Sequence, residues 1–171
     1  MSSLTTASVV LFICVVSACQ KQTPLQTTHP CTKIEIHLAE KNPGRNLIEV
    51  TSSNSGRKIY LHEEVVITGR GIMRVNAVTY FNLLEEIPSG RPFYEVRVEF
   101  TKEAAQRLAR VTAENRGKIL ALLVDGRVIA DSVIHETIHD LIAIQDEKMT
   151  KEHSEELAKL LNAGCATSQA Q

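Results

Sequence analysis

Apolar and polar residues alternate with period two from Lys33 to Ala39 and again from Tyr94 to Phe100. That period places every second side chain on one face, so each segment predicts a half-buried strand. Asn42-Pro43-Gly44 ends the first, and Leu47–Thr51 and Lys58–Leu61 predict two more short strands around the turn-rich segment 52–56. Residues 69–87 carry no clear period; Gly69 and Gly71 open a segment that takes on helical spacing towards Leu84. Beyond Phe100, Thr101 is placed to cap a helix with Ala104, Leu108 and Val111 on one face, and Gly117 is placed to end it. Ile119–Val124 is an unbroken apolar run, the pattern of a strand buried on both faces. Asp125-Gly126 is a type I′ hairpin pair leading into Arg127–Ala130, and Leu141–Gln145 predicts one further strand. Thr150 caps a second helix, with Leu157, Leu160 and Leu161 on one face and Gly164 closing it. From Tyr94 the order is β-α-β-β-(β)-α, which predicts an α+β fold. The expected architecture is a two-layer sandwich, an antiparallel sheet with helices packed on one face, with a ferredoxin-like tendency.

The amino-terminal residues break this pattern. Residues 7–16 form an apolar run, short for a permanent membrane span and suited to the core of a signal peptide. Val16-Ser17-Ala18-Cys19 follows it and resembles the lipobox of bacterial lipoproteins, whose cysteine thiol accepts diacylglycerol. No Lys or Arg precedes the run, and a buried helix or a simple cleaved signal are the alternatives. The resemblance implies a signal peptide over 1–18 and a membrane anchor through lipid on Cys19, since each buried methylene contributes about 0.8 kcal/mol. In lipoproteins an aspartate after the cysteine favours the inner membrane; Gln20 stands here, compatible with a periplasm-facing place at the outer membrane. Residues 19–31 would then be the lipidated terminus and a flexible tether, 32–164 the domain and 165–171 a tail. With Cys14 removed and Cys19 lipidated, Cys31 and Cys165 are left. In an oxidising compartment they could form a disulfide clamping the two ends of the domain, worth roughly 4 kcal/mol in the chain-entropy model, with two free thiols as the alternative.

Composition narrows the function classes. In 171 residues, 43% hydrophobic and 23% charged content fits one globular domain behind a leader. Nineteen basic against twenty acidic side chains leave a formal charge of -1, no footprint for nucleic acid. Aromatic residues make up 4% and Trp is absent, so the core is aliphatic and no stacking platform for bases is expected. No nucleophile elbow, phosphate loop or paired CxxC occurs, and no cofactor is expected. His135-Glu136-Thr-Ile-His139 spells H-E-x-x-H, which on a helix would hold zinc between two imidazoles with Glu136 as general base. A zinc metallohydrolase is therefore an alternative. It needs a helix and a third ligand, yet Ile142 and Gln145 occupy the downstream positions and Val133, Ile134 and Thr137 suit extended structure. The preferred reading is two exposed histidines on a loop, with no metal and no catalysis. Arg107, Arg110, Arg116, Lys118 and Arg127, interleaved with Glu103 and Glu114, read as a solvated face.

Several stretches taken together resemble the head region of the first periplasmic domain of SecD. Phe100–Lys118 resembles that family's helix, ending in Thr112-Ala-Glu-Asn-Arg-Gly-Lys118. Ile119–Ile129 resembles its buried strand and Asp-Gly hairpin, Ser132–Ile138 stands at its Pro-x-Ile-x-x-x-Ile stretch, and Met149–Gly164 resembles its closing helix. Ile59-Tyr-Leu-His62 and Ile67-Thr68 are similar to the segment leading in, so the resemblance covers about residues 57–164. It implies the α+β head fold and a part in handling polypeptide chains, with Sec translocase or exported chains as partners. It does not imply proton-driven work, because the membrane-embedded carboxylates of that family have no counterpart in the sequence. An exposed sheet edge is the expected docking line for an extended chain. The remaining alternative is a structural or inhibitory envelope lipoprotein unrelated to export.

Overall fold

The computed structural model describes residues 32–81, 92–146 and 148–169, with the side chains of the last helix described up to residue 164. Eight strands and two helices follow in the order β1 (Ile34–Glu40), β2 (Leu47–Thr51), β3 (Lys58–Thr68), β4 (Ile72–Phe81), β5 (Pro92–Phe100), α1 (Lys102–Glu114), β6 (Ile119–Val124), β7 (Arg127–Val133), β8 (Leu141–Gln145) and α2 (Lys151–Gln169). The α+β class and the antiparallel pairing are as expected. The strands divide between two sheets, one ordered β2-β3-β1-β6-β7 and one ordered β4-β5-β8. β5 and β6, on either side of α1, fall in different sheets, so the ferredoxin-like tendency ends at the local order of elements.

The main core lies between the two sheets and under the helices. Ile36, Leu120 and Leu122 from the larger sheet meet Val75, Val96, Val98 and Phe100 from the smaller one, with Leu108 of α1 and Leu161 of α2 sealing it. A second, smaller core of Ala39, Ile59, Leu61, Ile119, Ala121, Leu123 and Val128 lies on the other face of the larger sheet. This sheet curls until its ends meet: the Ser53 N–H, just past edge strand β2, donates to the Val128 carbonyl of edge strand β7 at 3.0 Å. Curling encloses the second core, and it explains why all six residues of β6 are buried.

Local signals produce the expected ends in several places. Thr101 caps α1 by accepting from the Ala104 N–H at 3.3 Å. Asp125 and Gly126 both take positive φ, the geometry that a type I′ turn demands. Two expectations need correction. Residues 72–81 are strand β4, and Leu84 lies outside the described residues. The second helix does not close at Gly164, and the expected tail from 165 is helical to Gln169. A Cβ at Gly164 would lie 2.6 Å from Ile34 Cδ1 and 2.9 Å from the Thr32 carbonyl oxygen. The glycine serves close approach of α2 to the start of β1, not a helix stop.

Candidate functional site

β7 is an edge of the larger sheet and β8 an edge of the smaller one. Between them lies a groove of about 460 Å³, lined by Ile36, Leu120 and Leu122, by β7 residues 130–133 and by the whole of β8. Its depth has a sequence cause. Ala130 stands opposite Leu122 and Ser132 opposite Leu120 in the β6–β7 ladder, so they share the face that elsewhere carries large aliphatic side chains. Two small residues at the edge of that face leave space which leucines would fill.

The backbone of β8 is oriented by its pairing with β5. The Phe100 N–H donates to the Asp140 carbonyl at 3.1 Å, and Val98 and Val96 stand opposite Ile142 and Ile144. In an antiparallel ladder, residues in step with Asp140 turn their backbone groups to β5, and those between turn theirs away. Leu141, Ala143 and Gln145 therefore present N–H and C=O groups at the edge where, among the described residues, β8 has no strand neighbour. Gln145 is further fixed by its side chain, which donates to Glu95 Oε2 at 2.5 Å. Glu95 is buried on β5 and also accepts from Tyr80 Oη at 2.8 Å and Arg97 Nε at 2.6 Å. Three donors satisfy a carboxylate that would otherwise be costly to bury.

Residues 134–140 bridge the two edges and form one end of the groove. Ile134 continues the larger sheet, donating to the Lys118 carbonyl at 2.9 Å and accepting from the Gly117 N–H at 2.8 Å. The Ile138 N–H donates to Thr112 Oγ1 at 2.9 Å, and that fully buried hydroxyl donates to the Leu108 carbonyl at 2.8 Å. The opposite wall includes Asn54 and Asp131. Asp131 accepts from Ser55 Oγ at 3.0 Å and Arg57 Nε at 2.9 Å, and also from Ser52 Oγ and Arg57 Nη2. Burial pushes its pKa up, but hydrogen bonds from Ser52, Arg57 and Ser55 outweigh this and hold the carboxyl below its ordinary range.

The H-E-x-x-H residues reach this site but not as a metal centre. His135 and Glu136 line the groove, and His139 lies further along the same loop. The segment is not helical, so the one-turn spacing that puts two imidazoles on one helix face does not arise. Among the described residues no three His, Cys, Asp or Glu side chains gather as a metal site. Cys19 and Cys31 lie outside the described residues, and the Cys165 side chain does too. The basic residues are dispersed over separate partners: Arg107 with Glu64, Lys118 with Glu40, and Arg116 towards Thr137. Sequence reasoning missed Ala130, Ser132 and the outward-facing positions of β8. The run Ala130-Asp-Ser132, interrupting a β-branched strand, was the available signal.

These features define a class: an α+β head module with an open strand edge beside an aliphatic groove. Residues 45–166 match the model of the SecDF P1 head subdomain family, and the chain belongs to that family. The protein translocase subunit SecDF of Thermus thermophilus is 37% identical over 75 residues, covering 44% of this chain and 10% of the relative. SecD of Aquifex aeolicus is 32% identical over 117 residues, covering 68% of this chain and 21% of the relative. The chain thus spans only about a tenth to a fifth of the length of these relatives, 10% and 21% in the two cases. A solved structure of SecDF, described as a membrane component that enhances protein export, aligns with a TM-score of 0.54 at 23% identity, over 78% of this chain and 63% of that one. SecDF in its super-membrane-facing form aligns with the same TM-score at 22% identity, over 78% and 19%. At that identity the structures establish the shared fold. No helix among the described residues is long and apolar enough to cross a membrane.

Proposed function

We propose that this protein is a membrane-anchored envelope component that binds extended segments of other proteins, in the service of protein export, and that it acts by binding and not by catalysis. The observation that carries the reading is the row of outward-facing backbone groups at Leu141, Ala143 and Gln145 beside an aliphatic groove. An incoming strand gains main-chain hydrogen bonds from such an edge, while its alternate side chains enter the groove. Membership of the P1 head family supports the export role, because the relatives are named as translocase subunits. Anchoring through lipid on Cys19 and a Cys31–Cys165 bridge are part of the same proposal; they rest on the lipobox-like Val16–Cys19 and on the cysteine count.

The test is a photo-crosslinking amino acid placed at Ala143 in the full chain in its native membrane. Recovery of exported chains or translocase subunits from Ala143, but not from exposed Ile48 on β2, which does not line the groove, supports the reading. Equal recovery from both positions, or none from either, contradicts it.

A further inference from the structure

The chemistry of the groove lining limits what it accepts. Its floor is aliphatic, its free edge is backbone, and Lys and Arg are absent among its lining residues. Two carboxylates line it, Asp131 and Glu136, and they are not equivalent. Asp131 is engaged on both oxygens by Ser52, Ser55 and Arg57, so its charge is offset and its lone pairs are occupied. Glu136 is exposed, and no ion pair or hydrogen bond of its side chain is found among the described residues. Arg116 reaches the same loop, but at Thr137, which does not line the groove. His135 is the other titratable group at this end, beside Glu136.

We infer that the groove selects extended apolar segments carrying a Lys or Arg beside Glu136, and that it discriminates against acidic segments. The inference rests on the peptide-binding reading above and adds the charge of the occupant. An acidic residue entering at the loop end meets a like charge with no Lys or Arg among the described lining residues to receive it, whereas a basic one can pair with the Glu136 carboxylate. Small or β-branched side chains suit the remaining positions, since the space comes from Ala130 and Ser132 opposite two leucines. The charge preference is modest, because Glu136 is open to water: about threefold between matched peptides, the range of an exposed ion pair. It shrinks in high salt, where exposed charges are screened.

The experiment measures binding of fluorescein-labelled ten-residue peptides to the purified full chain by fluorescence anisotropy at pH 7.5 and low salt. Three peptides share one alternating Val/Ser body and differ at a single position near one end, which is Lys, Gln or Glu. A second set carries the variable residue near the other end, so that both strand directions are sampled. The expected result is binding in the order Lys, Gln, Glu in at least one set, with the order flattened in Glu136→Gln and at 0.5 M salt. Ser132→Phe, which fills the groove at an exposed position, should weaken all peptides alike. If all three peptides bind equally and Ser132→Phe still weakens them, the charge inference falls and the peptide-binding reading stands. A preference that persists in Glu136→Gln also overturns the inference, because it assigns the selectivity elsewhere. If no peptide binds, or Ser132→Phe changes nothing, the groove is not the site and both fail.

Discussion

Thr112 of α1 receives the backbone N–H of Ile138 at 2.9 Å, across the helix–loop boundary and at full burial of the hydroxyl. One side chain thus ties the loop carrying His135 and Glu136 to the helix that seals the core. Thr112→Val keeps the shape and removes the acceptor, leaving a partly buried N–H unpaired at a cost of about 1 kcal/mol. Chemical denaturation should show that loss, and hydrogen exchange should quicken at Ile138 ahead of the central strand β6.

The lock around Asp131 has a pH signature. Its carboxyl is held below its ordinary 3.8, so the stabilisation is complete above that value and is lost as pH falls through the lower folded pKa. The urea midpoint of the native protein should therefore drop below pH 4. Asp131→Asn removes the ionising group facing Arg57; it should be less stable at pH 7, with the difference from the native chain narrowing as the pH is lowered to 3.

Gly164→Ala brings two effects into competition. Alanine favours a helix over glycine by about 1 kcal/mol. The added methyl would meet the Thr32 carbonyl oxygen and the buried Ile34 side chain at under 3 Å, and overpacking of this kind costs about 1–3 kcal/mol. Crowding against a backbone atom should win, giving net destabilisation in thermal or urea melts. A gain in stability would mean that α2 and β1 separate easily.

Much of the fold was legible because local pattern and burial agree. Tyr94–Phe100 alternates and is a strand, Ile119–Val124 is apolar throughout and is buried throughout, and Thr101 caps as its side chain predicts. β4 was not legible, since a register irregularity between Ile72 and Arg74 breaks its period where core residues Ile72 and Val75 would have announced it. Gly164 misled because a glycine that ends a helix and one that admits a neighbouring strand look alike in sequence. Leu160 was assigned to the inner face of α2 and is 41% exposed. The groove was hidden for a different reason: it arises from the meeting of two sheet edges, and no local pattern records which strands become edges.

Intact-mass and thiol measurements on the mature protein address the proposed anchor and bridge. Lipidation predicts an amino terminus at Cys19 carrying acyl mass, and a Cys31–Cys165 disulfide predicts resistance to alkylation until reduction. An unprocessed Met1 terminus contradicts the anchor, and two freely alkylated thiols contradict the bridge.

The most direct test of the central proposal is residue-resolved hydrogen exchange of the full chain with and without a bound extended apolar peptide. Strand addition to β8 predicts slower exchange at Leu141, Ala143 and Gln145 on binding, with little change at Ile142 and Ile144, whose amides already face β5. Binding that leaves those three amides unprotected, or that protects the β2 edge instead, would contradict it.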